Sequence, residues 1–516
     1  MTNEIDIRKQ INTTDYVVAL VFSIVLIIIC AAFSTRVLHW FLLPLVPCGV
    51  LIGVDAVGWF RGKYDLFDPK GMLGLMGLHF FFISYLLTAV WEVETPVTAV
   101  GLEDYRPWMG VLAVLNCLGL IIYRFVERSV SGKRYKWETA KVWICNESNW
   151  GILLTFFIII GIAAQVYLIF GRGYVGRLSY DPSARSAVKG GTGILRLIGG
   201  SGPIFLIMLL TLIRNKRAFK QSSMLVIYLV MGFMGVFTLF SGGLVGSRGT
   251  TVWNVFWIGG IVHFFWRRIT VKQALMGLLV LVVFMNIYGF FKKLGTGGLK
   301  MFMEEGYAVA AAESGVHAKG ILIGDLSRTT VNAYMAYVLV EKPYSYEYWW
   351  GKTFIGDILV QFPTWIYSNY YNLTGTSGKM RAGTDLMMGA GHYDAFNPFS
   401  KARYIYGLTG QVMLNYGILP IPLAFIVLGY FVGRFRRAML NWKPYDMRFF
   451  LVPIFVHLLM MLLTHDFENQ LNTIIFNAAL PFVIVLLISF RVPRSLVDAQ
   501  NEEAGEFVDE LEHDQN

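Results

Sequence analysis

Apolar runs of about twenty residues, the length needed to cross roughly 30 Å of hydrocarbon, recur at 16–33, 37–58, 71–91, 108–123, 150–170 and 193–213. Six more follow at 223–240, 250–266, 274–291, 410–433, 449–463 and 471–490. The pattern predicts an all-α, polytopic integral membrane protein of about 12 transmembrane helices. It divides the chain into an N-terminal bundle of about nine spans (1–291), a long segment containing short helices (292–409), about three further spans (410–490) and an acidic tail (491–516). The polar stretch before the first run has no small-residue cleavage site, so an uncleaved first helix is expected.

Lysine and arginine gather in alternate connections, at Arg8 and Lys9, Arg61 to Lys70, Arg124 to Lys141, Arg214 to Lys220, Arg267 to Lys272, Arg434 to Arg448, and Arg491 with Arg494. Basic residues flanking spans stay in the cytoplasm, so these connections are expected inside and the 292–409 segment outside. The composition agrees: 55% hydrophobic and 15% charged residues exclude an ordinary soluble globular protein. The net charge of +10 is spread over loops between spans, so no nucleic-acid partner is expected. Cys30, Cys48 and Cys117 fall in spans and Cys145 at the end of one, with no paired spacing, which predicts neither disulfide nor zinc. The tail from Glu502 to Asp514 is expected to be a disordered cytoplasmic end.

One connection breaks the charge rule. Arg172, Arg177, Arg185, Lys189 and Arg196 lie in or beside a loop that alternation places outside. Such a cluster predicts a bound anion, with a phosphate-bearing lipid as the candidate and generic anionic lipid as the alternative. The 292–409 segment is too long to be structureless. Within it, residues 320–340 set Leu326, Val331, Tyr334, Tyr337 and Val338 at helical spacing, with Asp325, Arg328 and Asn332 on the opposite face. That stripe is either a solvated helix face or the lining of a cavity. Two aromatic bursts, Tyr344 to Trp350 and Trp365 to Tyr371, are either a headgroup-level belt or a platform for sugar rings.

A glycine-rich loop follows, carrying His392 and Asn397-Pro398, then the helix entry Arg403-Tyr404-Ile405-Tyr406-Gly407, then Asn415-Tyr416-Gly417 before an apolar span that ends in basic residues. Earlier, Gly246-Ser247-Arg248-Gly249 opens a span that closes with Arg267-Arg268. These stretches resemble the bacterial O-antigen and oligosaccharide repeat unit polymerases, a group related to the O-antigen ligases. The resemblance implies transfer of an undecaprenyl-diphosphate-linked oligosaccharide onto another lipid-linked repeat unit, with inversion, at the outer face of the inner membrane. It leaves room for a chain-length regulator protein and membrane lipid as partners.

The departing lipid diphosphate must be neutralised by a divalent metal or by fixed cations. No Asp-x-Asp lies in the outer connections and arginines are plentiful there, so cations are favoured and no metal or other cofactor is expected. Arginine suits phosphate because its planar fork makes two parallel charge-assisted hydrogen bonds. Arg248 combines an isolated charge with a helix N-terminus and the small Gly249. Arg177 and Arg185 come from the anomalous cluster, while Arg328 and Arg403 could complete the cradle. His392, on a loop able to close over substrate, is the expected general base, with His465 and Asp466 in competition. His79, His263 and His457 read as packing residues. A ligase uses the same donor and stays open. So does a flippase or transporter, although ion-coupled carriers bury ionisable residues mid-membrane and Asp55 is almost the only acid inside an expected span.

Overall fold

Long apolar segments reach lowest free energy in hydrocarbon as helices, where every backbone polar group is bonded within its own segment. The computed structural model describes residues 11–91, 102–132, 141–146, 150–167, 193–215, 223–239, 248–316, 320–325, 327–362, 378–389, 404–443 and 446–495. The acidic tail lies outside these. Six helices are long and apolar enough to cross a membrane, the layout of a multi-pass membrane protein. Shorter apolar helices accompany them at Trp150–Val166, Ile198–Arg214, Met224–Thr238 and Val452–Thr464.

The chain forms two compact units, the first comprising Met1–Ser131, Thr270–Arg436 and Val456–Ile475 and the second the remainder. It opens in the first unit with α1 (Thr13–Phe33), α2 (Leu42–Phe60), α3 (Pro69–Trp91) and α4 (Arg106–Ser131). Helix α1 starts at a capping box in which Asn12 and Asp15 satisfy each other's backbone N–H. Helix α2 packs against α1, α3 and α4. Val21, Ile28 and Phe33 of α1 stay exposed, an apolar surface that belongs against lipid rather than water.

The second unit holds β1 (Lys141–Cys145), α5 (Trp150–Val166), α6 (Gly193–Asn215), α7 (Met224–Thr238) and α8 (Arg248–Phe265). Helices α5 and α6 pack closely, with Gln165 of one seated over Gly199 of the other.

The first unit resumes with α9 (Val271–Leu294), α10 (Thr296–Glu305), α11 (Tyr307–Ser314), α12 (Thr329–Glu341), α13 (Lys352–Leu359), α14 (Gly378–Met388), α15 (Gly407–Tyr416) and α16 (Ile421–Leu440). The long segment is therefore built of short helices where it is described. The expected 410–433 span is two helices, because Gly417, at φ +83°, stops α15 and Pro420 precedes α16. Helix α15 is largely buried and packs on α12, α13 and α14. Residues 320–340 are not one helix either. A π-helical turn at Gly320–Asp325 is separated from α12, and Arg328 caps the start of α12. Asn332 and Arg328 are buried like Val331 and Tyr334, so these two do not form a solvated face; Leu326 and the side chain of Asp325 lie outside what is described.

The chain closes with α17 (Val452–Thr464), α18 (Phe467–Leu487) and β2 (Ser489–Pro493). In the second unit β2 pairs antiparallel with β1, from Lys141 opposite Pro493 to Cys145 opposite Ser489, a ribbon that the periodicity did not announce.

Where α4 crosses α16, Gly429 and Gly433 face the carbonyl oxygens of Tyr123 and Glu127. A Cβ at either glycine would lie 2.9 Å from that oxygen. Small residues four apart let two membrane helices meet at backbone distance. Around this crossing the first unit buries a network of charge at the ends assigned inside. Asp15 meets Arg61 at 3.1 Å, Asp55 meets Arg124 at 2.9 Å, Glu127 meets Lys70 at 2.6 Å, and Asp68 meets Arg436 at 2.9 Å. The guanidinium of Arg436 also lies 5.2 Å from the Tyr64 ring centroid. Helix α4 runs on to Ser131 rather than stopping at 123, and this carries Arg124 and Glu127 into the span. Asp55 is thus far from alone, and the helix can extend because its charges are neutralised in pairs.

Candidate active site in the first unit

A second buried polar cluster in the first unit is built by α13, α14, α15 and the start of α18, in connections assigned outside. Its centre is Lys379, placed by the first turn of α14. Lys379 Nζ lies 3.0 Å from Asp466 Oδ1 and 3.0 Å from Glu468 Oε2. Asp466 is the N-cap of α18, accepting the backbone N–H of Asn469, and Asn469 Nδ2 donates to the same oxygen at 2.7 Å. Its other oxygen, Oδ2, is buried without a hydrogen-bond partner in the structure.

Asp357 belongs to the same cluster. It is fully buried on α13 and bonded through Oδ2 to Gln411 Nε2 at 2.6 Å, while Oδ1 is buried without a partner. Gln411 is oriented by its other end, since its Oε1 accepts the N–H of Phe467 at 2.7 Å. One turn further along α15, Asn415 Oδ1 accepts the N–H groups of Gly351 and Thr353, and Nδ2 donates to Thr353 Oγ1 at 2.6 Å. Asparagine and glutamine four residues apart therefore fix the start of α13, and with it Asp357.

Lys379 contacts two of the three carboxylates, and Asp357 is buried beside them. Burial above all, reinforced by the charges of Glu468 and Asp466 and opposed by Lys379, pushes the Asp357 carboxyl up to about 7. Burial would discharge Lys379, but Asp466 and Glu468 more than offset it and raise its pKa. Asp357 is thus the carboxyl of the cluster held closest to neutral pH. His465, beside it, is lowered to about 4 by burial and by the positive charge of Arg328, with Asp466 opposing. It stays neutral at physiological pH, its Nδ1 2.7 Å from Thr464 Oγ1.

Arg328 is 6% exposed, and its Nη1 donates to Ser327 O at 2.7 Å. Burying a guanidinium is costly without compensation, so this residue is no solvated loop arginine. The structure brings Arg328, His465 and Asp466 together, as the electrostatic influence of Arg328 and Asp466 on His465 records. Arg248 opens α8 in the second unit, where only its backbone is described. His392, Arg403, Arg177 and Arg185 lie outside the described residues, as does most of the anomalous basic cluster.

Sequence reasoning missed Lys379, Asp357 and Gln411, and noted Asn415 only within its motif. A signal existed for Asp357, one acid in the middle of the apolar stretch from Phe354 to Val360, and for the two amides at i, i+4 in a largely apolar helix; none marked Lys379. No group of three or more His, Cys, Asp or Glu that could hold a metal occurs among the described residues. No family model, curated protein or solved structure matches the chain.

Proposed function

We propose that this protein is a polysaccharide repeat-unit polymerase of the bacterial inner membrane, transferring an undecaprenyl-diphosphate-linked oligosaccharide onto a second lipid-linked repeat unit. The observation that carries the proposal is the cluster of Asp357, Asp466 and Glu468 around Lys379, in which burial pushes the Asp357 carboxyl up to about 7. An acceptor hydroxyl attacking an anomeric carbon must lose a proton, and a base matched to ambient pH is the efficient recipient.

In this mechanism the hydroxyl approaches at Glu468, whose side chain is 20% exposed. The new C–O bond forms as the bond from the anomeric carbon to the diphosphate breaks, the electron pair leaves on the diphosphate oxygen, and the proton passes into the carboxylate cluster. Arg328 supplies fixed positive charge for the diphosphate, and Arg403 joins it. His392 is the rival recipient of the proton.

The test is the glycan ladder of cells deleted for the gene and complemented with wild type, Asp357→Asn or His392→Ala, with membrane expression checked for each. Polymerase activity predicts that the deletion keeps a single repeat unit and loses long chains. Restoration by His392→Ala but not by Asp357→Asn would assign the proton to the carboxylates; the reverse would assign it to the histidine. Loss of even the single unit would point to a ligase or flippase instead.

A further inference from the structure

Trp350 is the one non-glycine residue at positive φ among the described residues, at +46°, and its side chain is 71% exposed. A bulky side chain in the left-handed region costs about 1–2 kcal/mol, and here the cost is not recovered by burying the ring. Such strain persists where surrounding structure enforces it, and it clusters at ligand sites. The enforcement is visible. The Trp350 N–H donates to Asn415 O at 3.0 Å, and the next N–H, of Gly351, donates to Asn415 Oδ1 at 3.0 Å.

The ring is one of a row. Centroids of Tyr348 and Trp350 lie 6.1 Å apart at 83°, and those of Trp350 and Tyr416 lie 6.3 Å apart at 69°. These edge-on contacts fix the rings without stacking their faces on one another. Two glycines interlock the row with its backbone. A Cβ on Gly351 would meet the Tyr416 hydroxyl at 2.9 Å, and one on Gly417 would meet the Tyr348 hydroxyl at 3.0 Å.

We infer that Tyr348, Trp350 and Tyr416 form a stacking subsite for a pyranose ring of the lipid-linked oligosaccharide, an inference that rests on the transfer reading above. The apolar C–H face of a sugar matches an exposed indole whose edge is held by two phenols. A ring that only anchors the protein among headgroups needs no enforced backbone, and it needs no connection to the chemistry. This row has both. From the Trp350 turn, hydrogen bonds run through Asn415 to Thr353 and to Gln411 O, and Gln411 holds Asp357. Sugar docking and the carboxylate cluster thereby share one scaffold.

The experiment uses full-length protein in lipid nanodiscs and two ligands, the lipid-linked repeat unit extracted from the deletion strain and sugar-free undecaprenyl diphosphate. Trp350→Gly removes the ring while relieving the backbone, so its melting temperature should equal or exceed that of wild type. It should bind the glycan-bearing lipid roughly tenfold more weakly, the scale of one lost ring-stacking contact, and the sugar-free lipid unchanged. Trp350→Phe should keep most of the preference for sugar. If wild type prefers the glycan-bearing lipid and Trp350→Gly keeps that preference, or weakens both ligands equally, the subsite is overturned. If wild type itself binds both lipids alike, the transfer reading falls first.

Discussion

The two buried charge clusters of the first unit are built on opposite plans. At the end assigned inside, Asp15 pairs with Arg61 and Lys63, Asp55 with Arg124, Asp68 with Arg436 and Glu127 with Lys70. At the end assigned outside, Lys379 serves Asp466 and Glu468, and Asp357 must make do with an amide. Charge in which every acid has its own cation serves to lock helices together. Charge left unmatched sits close to a change of state, which is what a site handling protons needs. The same contrast bears on the transporter alternative, because the acids inside the spans are the matched ones.

Breaking the matched network should have the largest effect. Arg124→Leu removes the partner of the buried Asp55, and breaking a buried pair costs about 3–5 kcal/mol; thermal unfolding in detergent should show a drop of many degrees. If this variant melts like wild type, the network is not a lock. Lys379→Met comes next. It should abolish long chains in the glycan ladder, and its loss of melting temperature should be greater at pH 8 than at pH 5.5, because lower pH lets the remaining carboxylates take up protons. An equal loss at both values would place the outer cluster with the inner one.

The smallest and most diagnostic effect concerns Asp357. Burial holds its folded pKa at about 7, above the ordinary carboxyl value of 3.8, so the folded state holds this proton more tightly than the unfolded state. The group therefore contributes stability below pH 3.8, and that contribution is lost as pH rises through the window up to about 7. Asp357→Asn removes this dependence. Relative to the variant, wild type should become progressively less stable between pH 4 and 7, read as a diverging pair of melting curves. Parallel curves would mean that Asp357 is not held protonated.

The helices of the membrane bundle were legible because their signal is local. The apolar runs at 16–33, 37–58 and 71–91 became α1, α2 and α3 with small changes at the ends. The run at 410–433 misled because hydropathy does not register backbone geometry: Gly417 and Pro420 interrupt it without lowering its apolarity. The outer cluster was legible only in part. His465, Asp466 and Glu468 stand together in one outer turn and drew notice, whereas Asp357, Lys379 and Gln411 are separated by tens of residues and meet only through packing of α13, α14, α15 and α18. Arg328 was visible as a residue but not as a buried one, since the 320–340 pattern reads as a continuous amphipathic helix and the chain instead breaks before it.

The pairing of Asp68 with Arg436 spans 368 residues, and synthesis runs from one end. At about 5–20 residues per second, the carboxylate at the head of α3 emerges roughly 20–70 s before its guanidinium exists. Over that interval the first four helices must stay in the bilayer with an unanswered charge near the surface of the membrane, and the seam prepared for Gly429 and Gly433 lies open. The late arrival of α16 thus makes assembly of this bundle a matter of waiting, and a helix that comes late is where a stalled or truncated chain would be caught.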